Sequence, residues 1–239
     1  MLLKSLNFNR FATFFIIAFS IALYFYLGYN IERYEHAKLG LCILGLFMAY
    51  YGILKLKLSW VLMVVVGLLF RTIFLGHYPA LSQDFFRFIW DGRLLFKGFN
   101  PYLFTPNEIM NSQVVILAEM QTLYEGMGPL SQRNFSNYPP IHQMPGFLAA
   151  MISGRSIFGT ILILRLILIL ADLGIVYYGR KLLGLFQMPK NAIFIYFLNP
   201  LVVIELTGNL HFEGLMVFFM LLTLYHLKQN KNVYASLFM

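Results

Sequence analysis

The sequence predicts an all-α polytopic membrane protein, and three observations carry that prediction. Hydrophobic residues fill 59% of the 239 positions and charged residues only 12%, about half the charged fraction of a soluble domain. Mean hydropathy is +0.71. The apolar residues gather in runs of membrane-crossing length, and many of the 25 Phe and 15 Tyr sit at the ends of those runs, as an interfacial aromatic belt requires. The net charge of +8 comes from Lys and Arg placed between apolar runs and not from a basic tract. That pattern points to membrane lipids and topology rather than to nucleic acid. A lone Cys42 excludes an internal disulfide framework and any Cys-based metal site.

In chain order, Lys4 and Arg10 precede an apolar run at residues 11–29. It is long enough for roughly 30 Å of hydrocarbon and has no small-residue cleavage site, so it reads as a transmembrane helix and not a signal peptide. Runs at 39–54 and 58–76 supply two more, separated by Lys55 and Lys57. Placing Lys4, Arg10, Lys55 and Lys57 in the cytoplasm satisfies the positive-inside tendency, with Arg33 and Lys38 weighing mildly against it. Residue 77 then lies outside, and Arg71 is expected to snorkel to the outer interface. Residues 77–156 form one long extracytoplasmic loop region, with a short helix expected within 107–126 and a glycosylation sequon at Asn134, Phe135 and Ser136. Residues 141–152 are interrupted by Pro145 and read as a re-entrant or interfacial helix. A full crossing there would move Arg180, Lys181 and Lys190 outside, against the charge bias. Runs at 157–178, 191–207 and 214–227 complete about six transmembrane helices in a single transmembrane domain, and the apolar start at 234–239 reads as a further span cut short. Within these runs, Arg165 and Asp172 are expected to pair structurally between helices, and Asn199-Pro200 to kink the fifth.

The stretch at 82–102 does not suit a passive anchor, because it carries Asp84, Arg87, Asp91, Arg93 and Lys97 between apolar neighbours. Read as a helix from Ser82 to Lys97, with Ser82 as N-cap and Gly98 as the stop, it places Asp84, Arg87 and Asp91 on one stripe and Arg93 and Lys97 nearly opposite. Two carboxylates beside a guanidinium suit a site, and an interfacial amphipathic helix with solvated acids accounts for the same pattern. In the second half, the turn at 208–214 carries Asn209, His211 and Glu213 after Glu205, and the same charge-derived topology returns it to the face that carries Asp84.

Asp84, Arg87, Trp90, Asp91, Gly92 and Arg93, followed by Gly98, Asn100, Pro101 and Tyr102, resemble the D-x-x-R-Y-x-W-D-G-R…G-x-N-P-Y signature of bacterial multispanning glycosyltransferases of the GT-C class. Tyr138, Pro139 and Pro140 with Gln143 resemble the Y-P-P segment of that class. Asn199, Pro200 and Leu201 through Glu205, Gly208, Asn209, His211 and Glu213 resemble its N-P-L…E…G-N-x-H block. Phe88 and Phe212 stand where the class usually has Tyr and Asn. The resemblance covers residues 82–214 and implies a GT-C-like fold and transfer of a hexose, with mannose in keeping with the mannosyltransferase-like members, from a polyprenyl-phosphate donor to a glycan or lipid acceptor. It further implies Asp84 as general base. Arg87 and Arg93 become candidates for the departing phosphate, Trp90 and Asp91 for orienting the acceptor sugar, and Asn100, Tyr102, Tyr138, Gln143, Glu205, Asn209, His211 and Glu213 for binding substrate. No cofactor is implied, and a divalent metal is not favoured, since hard-cation sites want more carboxylates. The implied location is the bacterial inner membrane, with a cytoplasmic N-terminus and an outward-facing site. Two other classes fit the membrane features: a transporter or flippase of lipid-linked or anionic solutes, and an inactive fragment or partner subunit that only packs against other helices.

Overall fold

The computed structural model describes residues 2–56, 58–112 and 117–239, with side chains described from Arg10 onward. The Lys4 side chain, Lys57 and residues 113–116 within the expected 107–126 helix lie outside the described residues. The described chain is helical throughout. In order it runs α1 (Leu2–Asn30), α2 (His36–Lys55), α3 (Trp60–Thr72), α4 (Asp84–Phe96), α5 (Pro106–Ser112), α6 (Met120–Arg133), α7 (Pro140–Ser153), α8 (Ile157–Leu185), α9 (Ile193–Phe197), α10 (Pro200–Val202), α11 (Glu213–Lys228) and α12 (Asn232–Leu237). Residues 1–80 with 168–239 form one compact unit, and residues 81–167 form another.

Arg10–Asn30 and α2 of the first unit, and α8, whose residues divide between the two units at 167/168, are long and apolar enough to cross a bilayer. The run at 58–76 becomes the shorter apolar stretch Trp60–Gly76, started by Ser59, whose hydroxyl accepts the Leu62 N–H. The fifth run is broken as Asn199-Pro200 predicts: Lys190–Phe197 and Pro200–Gly208 meet at a 55° bend. Proline removes a backbone donor, and the Asn199 side chain caps the new start by accepting the Leu201 N–H at 3.0 Å. The second piece continues into a π-helical turn, Val203–Gly208.

The break leaves the Phe197 carbonyl without its helical donor, because Leu201 N–H is already given to Asn199. Arg71 fills that need. Its Nη1 donates to the Phe197 and Gly67 carbonyls at 2.9 Å each, its Nε donates to Asp172 at 2.7 Å, and its guanidinium lies 4.1 Å from the Phe197 ring centre. Tyr196 donates to the other Asp172 oxygen at 3.1 Å. Arg71 is 0% exposed, so it does not snorkel to an interface as the sequence suggests. A direct ionic partner 101 residues away outweighs the reach of its side chain. Asp172 does pair between helices, with Arg71 as the partner; Arg165 is fully buried.

The second unit is built on α4 and α7. They cross at Gly92 and Gly146, where a Cβ on Gly92 would strike the Gly146 backbone. α7 is 14 residues long, roughly 21 Å at 1.5 Å per residue, short of the roughly 30 Å of a hydrocarbon core. The helix predicted from Ser82 starts at Asp84 instead, with the Ser82 hydroxyl accepting the Asp84 N–H at 3.3 Å, and it ends before Gly98 at φ +83°. α6 is bent at Gly128-Pro129, where Gly128 takes φ +75°.

Removing one partner of a buried ion pair strands the other and costs about 3–5 kcal/mol, whereas replacing both by apolar residues is close to neutral. Thermal unfolding in detergent should therefore show a large loss for Arg71→Met or Asp172→Leu alone and only partial recovery in the double variant, which still leaves the Phe197 carbonyl and the Tyr196 hydroxyl without their partners.

Candidate functional site

Burying a carboxylate is tolerable only when donors surround it. Asp91 is 0% exposed and has three. Arg87 Nε donates to Oδ1 at 2.8 Å, and Ser136 Oγ and Gln143 Nε2 donate to Oδ2 at 2.7 and 3.2 Å. Gln143 also donates to the Ser136 hydroxyl at 2.8 Å. Burial pushes the Asp91 carboxyl above its ordinary value, and Arg87, Ser136 and Gln143 pull it back. The serine of the sequon thus has a structural use that the sequence does not reveal.

The same network fixes Arg87, which is 4% exposed. Its Nη1 donates to the Ser131 and Asn134 carbonyls at 2.7 and 3.0 Å, which holds the end of α6 and the segment after it against α4. Nη2 has no hydrogen bond among the described residues. Arg87 lines a hollow of about 440 Å³ together with Asp84, Ser131, Asn134, Asn137 and Tyr138, with Leu130 and Phe135 as its apolar wall. Asp84 sits in the first turn of α4, half-buried, where the helix dipole favours an acid. Its carboxylate accepts no hydrogen bond among the described residues.

The other expected site residues fall in several places. Tyr138 lines the hollow and is held by stacking on His142 at 4.5 Å and by the edge of Phe88 at 5.1 Å. Tyr102 donates from its hydroxyl to the Tyr138 carbonyl at 2.6 Å, and Asn100 accepts the Tyr102 N–H in a tight turn, so these two anchor Tyr138 from behind. Trp90 and Asp91, expected to orient a sugar, are both 0% exposed. They lie within the packing of the unit and offer no face for stacking, with Trp90 beside Tyr124 and its indole N–H without a partner among the described residues. Arg93 lies on the other side of α4, in a separate hollow with Glu119 and Arg155. In the first unit, His211 Nδ1 lies 3.2 Å from Glu205 and Asn209 Nδ2 donates to the same oxygen at 3.1 Å, with Glu205 in the π-helical segment and Asn209 and His211 on the turn that follows it. Glu213 opens α11 and is exposed. Among the described residues no three His, Cys, Asp or Glu side chains gather as metal ligands.

Sequence reasoning missed Ser131, Asn134 and Asn137 as lining groups. The signal was present as a polar stretch, residues 131–137, placed between a Gly-Pro bend and the Tyr-Pro-Pro segment.

The described residues define an all-α membrane-protein class, with apolar helices of membrane-crossing length and a short polar helix buried in a unit of its own. The family is narrower: the chain belongs to the alpha-(1->6)-mannopyranosyltransferase N-terminal domain family, whose model matches residues 33–239. It is similar to two proteins called alpha-(1->6)-mannopyranosyltransferase A. With that of Mycobacterium tuberculosis it shares 27% identity over 157 residues, 65% of this chain and 28% of the relative. With that of Corynebacterium glutamicum it shares 25% over 158 residues, 64% and 28%. The chain thus spans about 28% of the length of the curated relatives it matches. No solved structure matches.

Each donor to Asp91 satisfies a buried anion, so its loss should cost about 1–3 kcal/mol. Ser136→Ala and Gln143→Leu are expected to lower the detergent melting temperature separately. Their effects should be non-additive in the double variant, because Gln143 also donates to Ser136.

Proposed function

We propose that this chain carries the base and anion-binding groups of a membrane mannosyltransferase that moves a hexose from a polyprenyl-phosphate donor to an acceptor hydroxyl. The observation that carries the reading is the pairing, in one hollow, of a carboxylate with open lone pairs, Asp84, and a guanidinium locked on three bonds with Nη2 unengaged, Arg87. The family membership and the names of the two curated relatives support the sugar class.

In this reading the acceptor hydroxyl lies against Asp84. As its oxygen attacks C1 of the sugar, Asp84 takes the proton, the bond from C1 to the phosphate oxygen breaks, and the phosphate leaves with the electron pair. Arg87 Nη2 meets the charge that builds on that oxygen, and a group fixed beforehand by Asp91, Ser131 and Asn134 needs no reorganisation to do so. A single displacement inverts the anomeric centre. Asn134, Asn137, Ser131 and Tyr138 supply hydrogen-bonding groups for sugar hydroxyls, while Leu130 and Phe135 keep one wall dry. Asn100, Tyr102 and Gln143 act through the residues they hold. The Glu205, Asn209 and His211 cluster is a second polar site of the same protein, suited to sugar hydroxyls, with Glu213 beside it in sequence. Transfer takes place at the outer face of a bacterial inner membrane, with the N-terminus in the cytoplasm, membrane lipids around the spans, and no metal or other cofactor taking part in the displacement.

The test is transfer of labelled mannose from a polyprenyl-phosphate donor in membranes carrying this chain, and the longer product wherever the reading frame continues. Asp84→Asn should lower transfer about 10²–10⁴-fold at unchanged protein level and insertion, the range a positioned base contributes. Arg87→Lys should lower it too, with a loss of stability from the broken fork. Equal transfer with and without the Asp84 carboxylate would remove it as the base.

A further inference from the structure

The cavity on the opposite side of α4 is larger than the one that holds Asp84, about 680 Å³ against about 440 Å³. Arg93 on α4, Lys97 one turn further on at the cap that closes the helix, and Arg155, in the link between α7 and α8, put three cations around it. Glu119 is the one carboxylate in its lining, which leaves the cavity two positive charges in excess. Glu119 is also committed within the protein: its Oε2 accepts the Ile157 N–H at the start of α8 at 2.9 Å and lies 3.6 Å from Arg93 Nη2. Arg93 is 4% exposed and hydrogen-bonds to the carbonyls of Ala118 and Arg155, yet its buried Nε has no partner among the described residues. Lys97 and Arg155 are exposed and form no ion pair among the described residues.

Two features narrow what an occupant must be. An excess of unpaired cations in a concave site is favourable only with an anion present, and guanidinium groups match phosphate oxygens bidentately. The wall is apolar, with Phe96, Leu117 and Ala150, and the cavity lies where α7 ends. α7 itself exposes an apolar stripe at helical spacing, Ile141, Met144, Leu148 and Ile152, 38–68% exposed. That stripe suits acyl or prenyl chains, so a ligand with its phosphate among the cations could lay its tail along it.

We infer that the Arg93, Lys97 and Arg155 cavity is a second anion site, which holds the phosphate of a membrane amphiphile away from Asp84. Arg93 lies nine residues beyond Asp84 on one helix, roughly 13 Å along the axis at 1.5 Å per residue. A phosphate here is therefore not the group displaced from a sugar at Asp84. Both an anionic phospholipid and a polyprenyl phosphate offer this chemistry, and the site differs from the proposed catalytic hollow in place and in the residues it uses.

The test is binding, which keeps it separate from the transfer assay. The purified chain in a neutral detergent is titrated with dihexanoyl phosphatidylglycerol, farnesyl phosphate, dihexanoyl phosphatidylcholine and inorganic phosphate, read by native mass spectrometry and by the shift in melting temperature. A saturable site that needs Lys97 and Arg155 is expected for at least one anionic amphiphile, weaker at high salt and absent for the zwitterionic lipid. Lys97→Gln with Arg155→Gln, both exposed and so compatible with folding, should weaken it about tenfold or more, two charge-assisted contacts being lost. Farnesyl phosphate bound alone identifies an isoprenoid phosphate as the occupant, and phosphatidylglycerol bound alone a bulk lipid. No saturable binding, undiminished binding in the double variant, or inorganic phosphate bound as tightly as either amphiphile would overturn the inference.

Discussion

The unit formed by residues 81–167 depends on keeping one carboxylate dry. An ionised Asp91 with no exposed surface carries a desolvation cost of several kcal/mol, and its neighbours must offset it. They do so from three directions: Arg87 one turn earlier on α4, Ser136 in the segment after α6, and Gln143 at the start of α7. The donors that satisfy the anion therefore also dictate where the segment after α6 and the start of α7 lie. Arg87 extends the effect by holding the Ser131 and Asn134 carbonyls, and the hollow beside Asp84 is the space left once these bonds are made.

The first unit solves a parallel problem in an apolar setting. A proline interrupts a membrane-length helix and leaves a carbonyl without its donor. Arg71 supplies one, and the guanidinium charge is in turn balanced by Asp172. A chemically demanding trio of a broken helix, a buried cation and a buried anion becomes mutually satisfying. Each member would be unfavourable alone in hydrocarbon.

How far the sequence revealed this differs from one feature to the next. The helical class followed from apolar runs alone, and the bend at Asn199-Pro200 followed from a missing N–H, because both are local properties. The separation of Arg93 and Lys97 from Asp84 and Arg87 followed from helical spacing. Arg71 was misread because its partner lies 101 residues away, and nothing local distinguishes a paired arginine near a helix end from one that reaches to the interface. Trp90 and Asp91 were assigned to substrate because the motif contains them. Only the packing of α7 on α4 reveals that they lie inside. Ser131, Asn134 and Asn137 carry no motif, and they line the hollow only because α6 is bent at Gly128 and the chain turns back along α4.

The crossing of α4 and α7 at Gly92 and Gly146 bears on how this unit opens. Where side chains separate two helices, a rotamer change can absorb a small displacement. Here backbone meets backbone, so no such adjustment exists at the point of contact. Separating the helices would also admit water to the Asp91 carboxylate and undo its bonds to Ser136 and Gln143 together. Partial opening thus gains little and loses nearly everything. α4 and α7 should behave as one cooperative unit whose backbone amides exchange with solvent in concert, while the half-buried Asp84 side chain, held by none of these bonds, keeps its rotamer freedom.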